Sequence, residues 1–157
     1  MRLITLNGIK LFVYLNGMIL RYSDKGGYHL VKGWSEAKGS IYNGYISIFL
    51  NGKKNLKHRI VGYSFLGLDI DNPKQQIDHI DRNKLNNNMN NLRIVTSQEN
   101  MFNRNAKGYN KKGKKYQANI KINNKTIYLG TFDTEEEARN AYLEAKEKYH
   151  VIPVILN

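Results

Sequence analysis

Two Asn-Gly dipeptides constrain the first third of the chain more than any other feature. Asn16-Gly17 interrupts KLFVYLNGMILRY and Asn51-Gly52 interrupts YISIFLNGKKNLKH. Each lies between apolar strands and suits a two-residue turn that needs positive φ at both positions. The chain therefore starts as β hairpins. A third hairpin is expected in YQANIKINNKTIYLG, turning at Asn123-Asn124, because asparagine tolerates the left-handed conformation less well than glycine but better than most residues.

Helical spacing is confined to a few places. Ile60, Val61, Tyr63, Phe65 and Leu66 form a pattern suited to a short helix. Near the end, Thr134-Glu-Glu-Glu137 is a capping box, followed on one face by Ala138, Ala141, Tyr142, Ala145 and Tyr149. The three glutamates also sit where the helix dipole favours negative charge.

With 157 residues there is room for one ordinary domain or two small ones, and 41% hydrophobic residues suffice for a core. No apolar run reaches the roughly eighteen residues of a membrane span, and no small-residue cleavage site follows the first apolar stretch. The expectation is a soluble, intracellular protein without a membrane partner. Cysteine is absent, which excludes disulfides, thiol nucleophiles and Cys-ligated zinc. Any metal must be held by His, Asp, Glu or Asn.

Twenty-five Lys+Arg against 13 Asp+Glu give a net charge of +12 and a pI near 9.8. That is the footprint of a nucleic-acid binder, although ribosomal, histone-like and membrane-surface proteins share it. Residues 1–70 carry ten basic and three acidic side chains, residues 71–107 six and four, and residues 108–157 nine and six. The middle segment is the least basic, as one holding acidic metal ligands would be.

That segment, QQIDHIDRNKLNNNMNNLRIVTSQENMFNR, reads as strand (76–80), asparagine-rich loop, strand (91–95) and helix. Thr96-Ser-Gln-Glu99 is a second capping box, opening the helix to about residue 104. This order folds Asp78-His79 back toward Asn100. A neutral imidazole, a carboxylate and an amide oxygen together suit one hard divalent ion, Mg2+ or Mn2+.

Here the sequence resembles the HNH homing endonucleases of the phage and intron-encoded type, with their ββα-metal fold. Asp78-His79 carries the resemblance, with Asn91 twelve residues beyond the histidine, Asn100 twenty-one beyond it, and NNLRIVTSQEN between. The resemblance implies a phosphodiester hydrolase acting on double-stranded DNA. His79 would be the general base, Asp78 and Asn100 the metal ligands, and Asn91 the catalytic-site residue that pins the loop and orients the histidine strand. Many members carry histidine at the last position, where Asn100 stands. Members with paired cysteines add a structural zinc, which is not expected here.

Other residues follow at lower specificity. Arg59 and Arg93 are candidates for phosphate, and Asn103 shares a helical face with Asn100. His58 is read as packing or sitting beside a phosphate-bound Arg59. Asn86, Asn87 and Asn88 read as a flexible turn, and His29 and His150 as surface residues.

From Gly108 the chain alternates with period two. Ala118, Ile120, Ile122, Ile127 and Leu129 fall on a dry face, and Gln117, Asn119, Lys121, Thr126 and Tyr128 on a polar one. YLGTFDTEEEARNAY, within residues 108–150, resembles the Apetala-type (ethylene-response-factor-like) DNA-binding domain, a three-stranded sheet on one helix that reads the major groove. That resemblance implies DNA contacts from Tyr116, Asn119, Lys121 and Tyr128, with Lys111, Lys112, Lys114 and Lys115 anchoring phosphates. Plant members carry arginine and tryptophan at several of these positions.

The expected fold is α+β. Residues 1–57 form basic β hairpins extending the nuclease, 58–104 the ββα-metal core, 105–112 a linker, and 113–157 the DNA-binding sheet packed on one helix. The expected protein is a site-specific homing endonuclease, phage- or mobile-element-encoded, with no small-molecule substrate. One site per chain favours nicking by a monomer. A restriction or repair-type nuclease and a non-catalytic DNA-binding regulator are the alternatives.

Overall fold

The computed structural model describes residues 1–26 and 32–152, so His29 lies outside the described residues. The chain divides into two compact units, Met1–Thr96 and Ser97–Asn157.

The first unit opens with an antiparallel meander of β1 (Arg2–Leu6), β2 (Ile9–Val13), β3 (Ile19–Ser23) and β4 (Gly33–Glu36). A second sheet follows, made of β5 (Ser40–Tyr42), β6 (Tyr45–Leu50) and β7 (Lys53–Leu56). Asn51 and Gly52 both take positive φ, 47° and 75°, as their turn requires. The β2–β3 connection departs from expectation. Only Gly17 is left-handed there (φ 85°), and the turn closes through Gly17 N–H to Tyr14 O at 3.0 Å and Tyr14 N–H to Met18 O at 2.9 Å. This is the longer loop that ends on a left-handed glycine, with the Asn16 side chain accepting from Met18 N–H instead of turning the chain. Asn7-Gly8 and Asn43-Gly44 make two further hairpin turns, with φ of 50° and 76°, and 50° and 80°.

Helix α1 (Lys57–Phe65) has no side-chain cap and no acidic residue in its first turn. Burial holds it instead. Ile60 and Val61 are fully buried, and each contributes about 1.5–3 kcal/mol, more than the ~1 kcal/mol a cap supplies. They pack with Leu11, Ile48, Leu50 and Ile77 in one core. A Cβ on Gly62 would stand 2.6 Å from Ile77 Cδ1, so α1 lies directly against β8 (Gln76–His79). A loop and a 3-10 turn (Met89–Asn91) lead to β9 (Leu92–Val95), antiparallel to β8.

The second unit holds α2 (Ser97–Phe102), a sheet of β10 (Tyr109–Lys112), β11 (Lys115–Ile122) and β12 (Lys125–Phe132), and α3 (Glu135–Tyr149). Residues 109–112, read as part of a linker, are instead the first strand of this sheet, paired from Tyr109 opposite Ala118 to Lys112 opposite Lys115. Asn123 and Asn124 turn the second hairpin, both with positive φ. The pairing runs from Asn119 opposite Tyr128 to Ala118 opposite Gly130, which makes Leu129 the extra residue of a bulge. Ala118 and Ile120 are buried, whereas Ile127 is 40% exposed at the hairpin end. Thr134 and Glu137 form the reciprocal capping box of α3. Ala138, Tyr142 and Ala145 are its buried residues, and Tyr149 is exposed. Among the described residues no helix is long and apolar enough to cross a membrane.

Candidate active site

The β8–β9 ribbon places Asp78 opposite Arg93 and His79 opposite Leu92. Strand alternation therefore sends Asp78 and His79 to opposite sides. Both are buried, at 6% and 4% exposure. Arg93 was a candidate for phosphate. Its Nε and Nη2 instead donate to Asp78 Oδ2 at 2.9 and 2.7 Å. The two bonds fix the orientation of a buried carboxylate.

His79 lies on the α1 side. Its ring centroid is 5.1 Å from that of His58, edge to face, and 6.0 Å from that of Tyr45. Its Nε2 lies 3.4 Å from Asn87 Oδ1. Asn87 cannot present its other end, because its Nδ2 donates to Leu85 O at 2.9 Å. The amide oxygen is therefore placed to accept from Nε2 in the tautomer that carries its proton there. Burial lowers the His79 pKa below that of free imidazole, only partly offset by the Asn87 bond and by Asp81 and Asp78. The environment thus favours the uncharged form of the ring.

The loop between the strands is built by its asparagines. Asn91 donates to Asp81 Oδ1 and to Asn86 O, both at 2.9 Å, while its Oδ1 and backbone oxygen accept from the N–H groups of Asp81 and Ile80. Asn86 donates to Asp81 Oδ2 at 2.7 Å, and Asn88 accepts from Asn90 N–H. These bonds, that from Asn86 foremost, hold the Asp81 carboxyl below the usual range. The run Asn86–Asn88 is therefore no flexible turn. It is a chain of side-chain caps, and Asn87 in its middle is buried.

This loop rests on the first hairpins. Met89 N–H donates to Leu15 O at 2.8 Å, and a Cβ on Gly17 would lie 2.6 Å from Asn87 O. The turn expected to serve only as a hairpin thus packs on the residue that holds His79.

His58 is buried, and its Nδ1 has no hydrogen-bond partner among the described residues. Burial, then the charges of His79 and Arg59, push its pKa down to about 3. Arg59 commits its guanidinium to Gln75 O and Ile70 O, at 3.1 and 2.9 Å, which fastens the loop before β8 rather than presenting the cation outward.

Both imidazoles resist protonation in the folded chain and accept it from an ordinary 6.5 when unfolded. Stability is fully present above that value and falls as pH drops through it toward 3. Thermal melts across that range should show Tm falling with acid, and His58→Phe should flatten the dependence. An unchanged slope in the variant would remove His58 from the account.

Asn100 lies on α2, and Asn103 just past its end, in the second unit. In that unit Tyr116 alternates with the buried Ala118 and Ile120 and meets the ring of Tyr109, whose hydroxyl donates to Glu135 of α3. It therefore shares the helix side of the sheet. Asn119, Lys121 and the exposed Tyr128 lie on the other side. Lys111, Lys112 and Lys114 are exposed, and Lys115 pairs with Asp133 at 3.0 Å. His150, read as a surface residue, stacks on Phe102 at 4.0 Å and reaches Lys121 O through Nε2 at 3.1 Å.

Among the described residues no three His, Cys, Asp or Glu side chains converge to hold a metal. A cation at Asp78 would need amide, phosphate or water oxygens to complete its shell. Magnesium accepts such a shell, and a carboxylate has acceptor sites for a guanidinium and a cation together.

Residues 55–102 match the sequence model of a family described as HNH endonuclease. A protein of Acanthamoeba polyphaga mimivirus, named an uncharacterized HNH endonuclease, is 41% identical over 80 residues, which is 46% of this chain and 42% of the relative. The chain thus spans less than half the length of that relative. No solved structure matches.

Proposed function

We propose that the chain is a DNA endonuclease of the homing type that hydrolyses a phosphodiester bond with His79 as general base. The supporting observation is the Asn87 amide, whose oxygen is placed to accept from Nε2 of the buried imidazole and so favours the tautomer with its lone pair on Nδ1. Nδ1 takes a proton from water, the water oxygen bonds to phosphorus, and one ester P–O bond breaks. Asp78, oriented by Arg93, and Asn100 would hold one divalent cation, Mg2+ or Mn2+, which when bound offsets charge on the phosphate and the leaving oxygen. Asn91 positions the loop after His79. One site per chain suits a monomer that nicks one strand.

Supercoiled plasmid incubated with Mg2+ or Mn2+ should give the nicked circle, and EDTA should stop the reaction. Plasmid left intact under every metal condition would refute the reading.

The second unit supplies binding in this proposal, through Lys111, Lys112 and Lys114 at phosphates and Asn119, Lys121 and Tyr128 at the groove. Replacing those first three lysines with alanine should weaken DNA binding and reduce the slope of log K against log salt by about two to three. An unchanged slope would take this sheet out of the interface.

A further inference from the structure

Residues 37–68 contain five Lys or Arg and no Asp or Glu. Within them, one side of the β5–β7 sheet is aromatic and basic. Pairing sets Tyr42 opposite Tyr45 and Phe49 opposite Lys54, and alternation puts all four on the same face. Tyr42 and Phe49 are 48% and 54% exposed.

Two ammonium groups cover these rings. Lys54 Nζ lies 3.4 Å from the centroid of Tyr42 and 5.8 Å from that of Phe49. Lys84, from the His79 loop, lies 4.4 Å from the centroid of Tyr45. Tyr45 in turn touches the rings of His58 and His79, at 4.9 and 6.0 Å. The face is therefore continuous with the base, running outward from it through Tyr45 to Tyr42 and Phe49.

We propose that this face binds the DNA strand beside the scissile phosphate, with an unstacked base seated on Tyr42 and Phe49. The inference rests on the nuclease reading for its substrate. Its chemistry is that of single-strand recognition, in which aromatic faces take bases without regard to sequence and adjacent cations take the backbone. A lysine over a ring is a cover that phosphate removes. The ammonium gains a formal negative charge in place of a ring quadrupole, and the uncovered ring is left to stack. Asn87 and Lys84 belong to one loop, so a strand held by Lys84 is also held next to His79.

The test uses the full-length protein, a fluorescein-labelled duplex of mixed sequence, and the same duplex with two unpaired bases at its centre. The wild type should bind the second about tenfold or more tightly. Tyr42→Ala with Phe49→Ala should erase that preference and leave the salt slope unchanged, while Tyr42→Trp should keep it. Lys54→Ala should lower the slope by about one. Equal binding of the two duplexes by the wild type, or a preference that survives loss of both rings, would overturn the proposal. Plasmid nicking is scored in parallel. Nicking that persists while the base preference fails sinks this inference alone, whereas a preserved preference with no nicking retains the face and sinks the nuclease reading.

Discussion

His79→Ala is expected to lower metal-dependent plasmid nicking by about 10²- to 10⁴-fold, the usual contribution of a positioned general base. DNA affinity should remain within about threefold, because the proposed phosphate anchors are lysines elsewhere on the chain. The imidazole fills space between His58 and Tyr45, so alanine also leaves a void beside the core. His79→Gln controls for this, since it keeps most of the volume and removes the base. Both variants should bind and neither should cut. Cleavage by either at a rate near wild type would assign the base to another group.

Arg93→Ala should destabilise the first unit by about 3–5 kcal/mol, the cost of removing the guanidinium from a buried ion pair. Asp78 is 6% exposed and takes two guanidinium bonds on one oxygen. Arg93→Lys should recover only part of the loss, because an ammonium lacks the guanidinium fork. Urea unfolding measures both variants. If Arg93 served phosphate alone, its removal would weaken DNA binding while leaving the urea midpoint where it was. Asp78→Asn combined with Arg93→Ala should be less destabilised than Arg93→Ala, since the charge that Arg93 faces is gone.

Much of this architecture was legible from local chemistry. Asn51-Gly52, Asn123-Asn124 and the Thr134–Glu137 box act within a few residues, so their hairpins and helix follow from sequence directly. Asp78, His79 and Asn91 were legible as a spacing. What escaped was long-range or cooperative. Nothing near Tyr45 announces that its ring will meet His79, 34 positions later. The pairing of Arg93 with Asp78 needs the strand register. Asn87 was hidden differently, since a run of asparagines looks like slack until their caps are traced one by one. The strand at Tyr109–Lys112 was read as part of a linker, because its place at a sheet edge depends on its pairing with Lys115–Ala118.

The seam between Gly17 and Asn87 bears on where the proposed catalytic apparatus begins. The family match starts at residue 55, yet the amide that faces the histidine ring is seated on a turn near residue 17. The stretch of sequence that marks the chemistry is thus shorter than the body that aims it. A graft confined to the motif would carry every reacting group and leave behind the anvil beneath one of them.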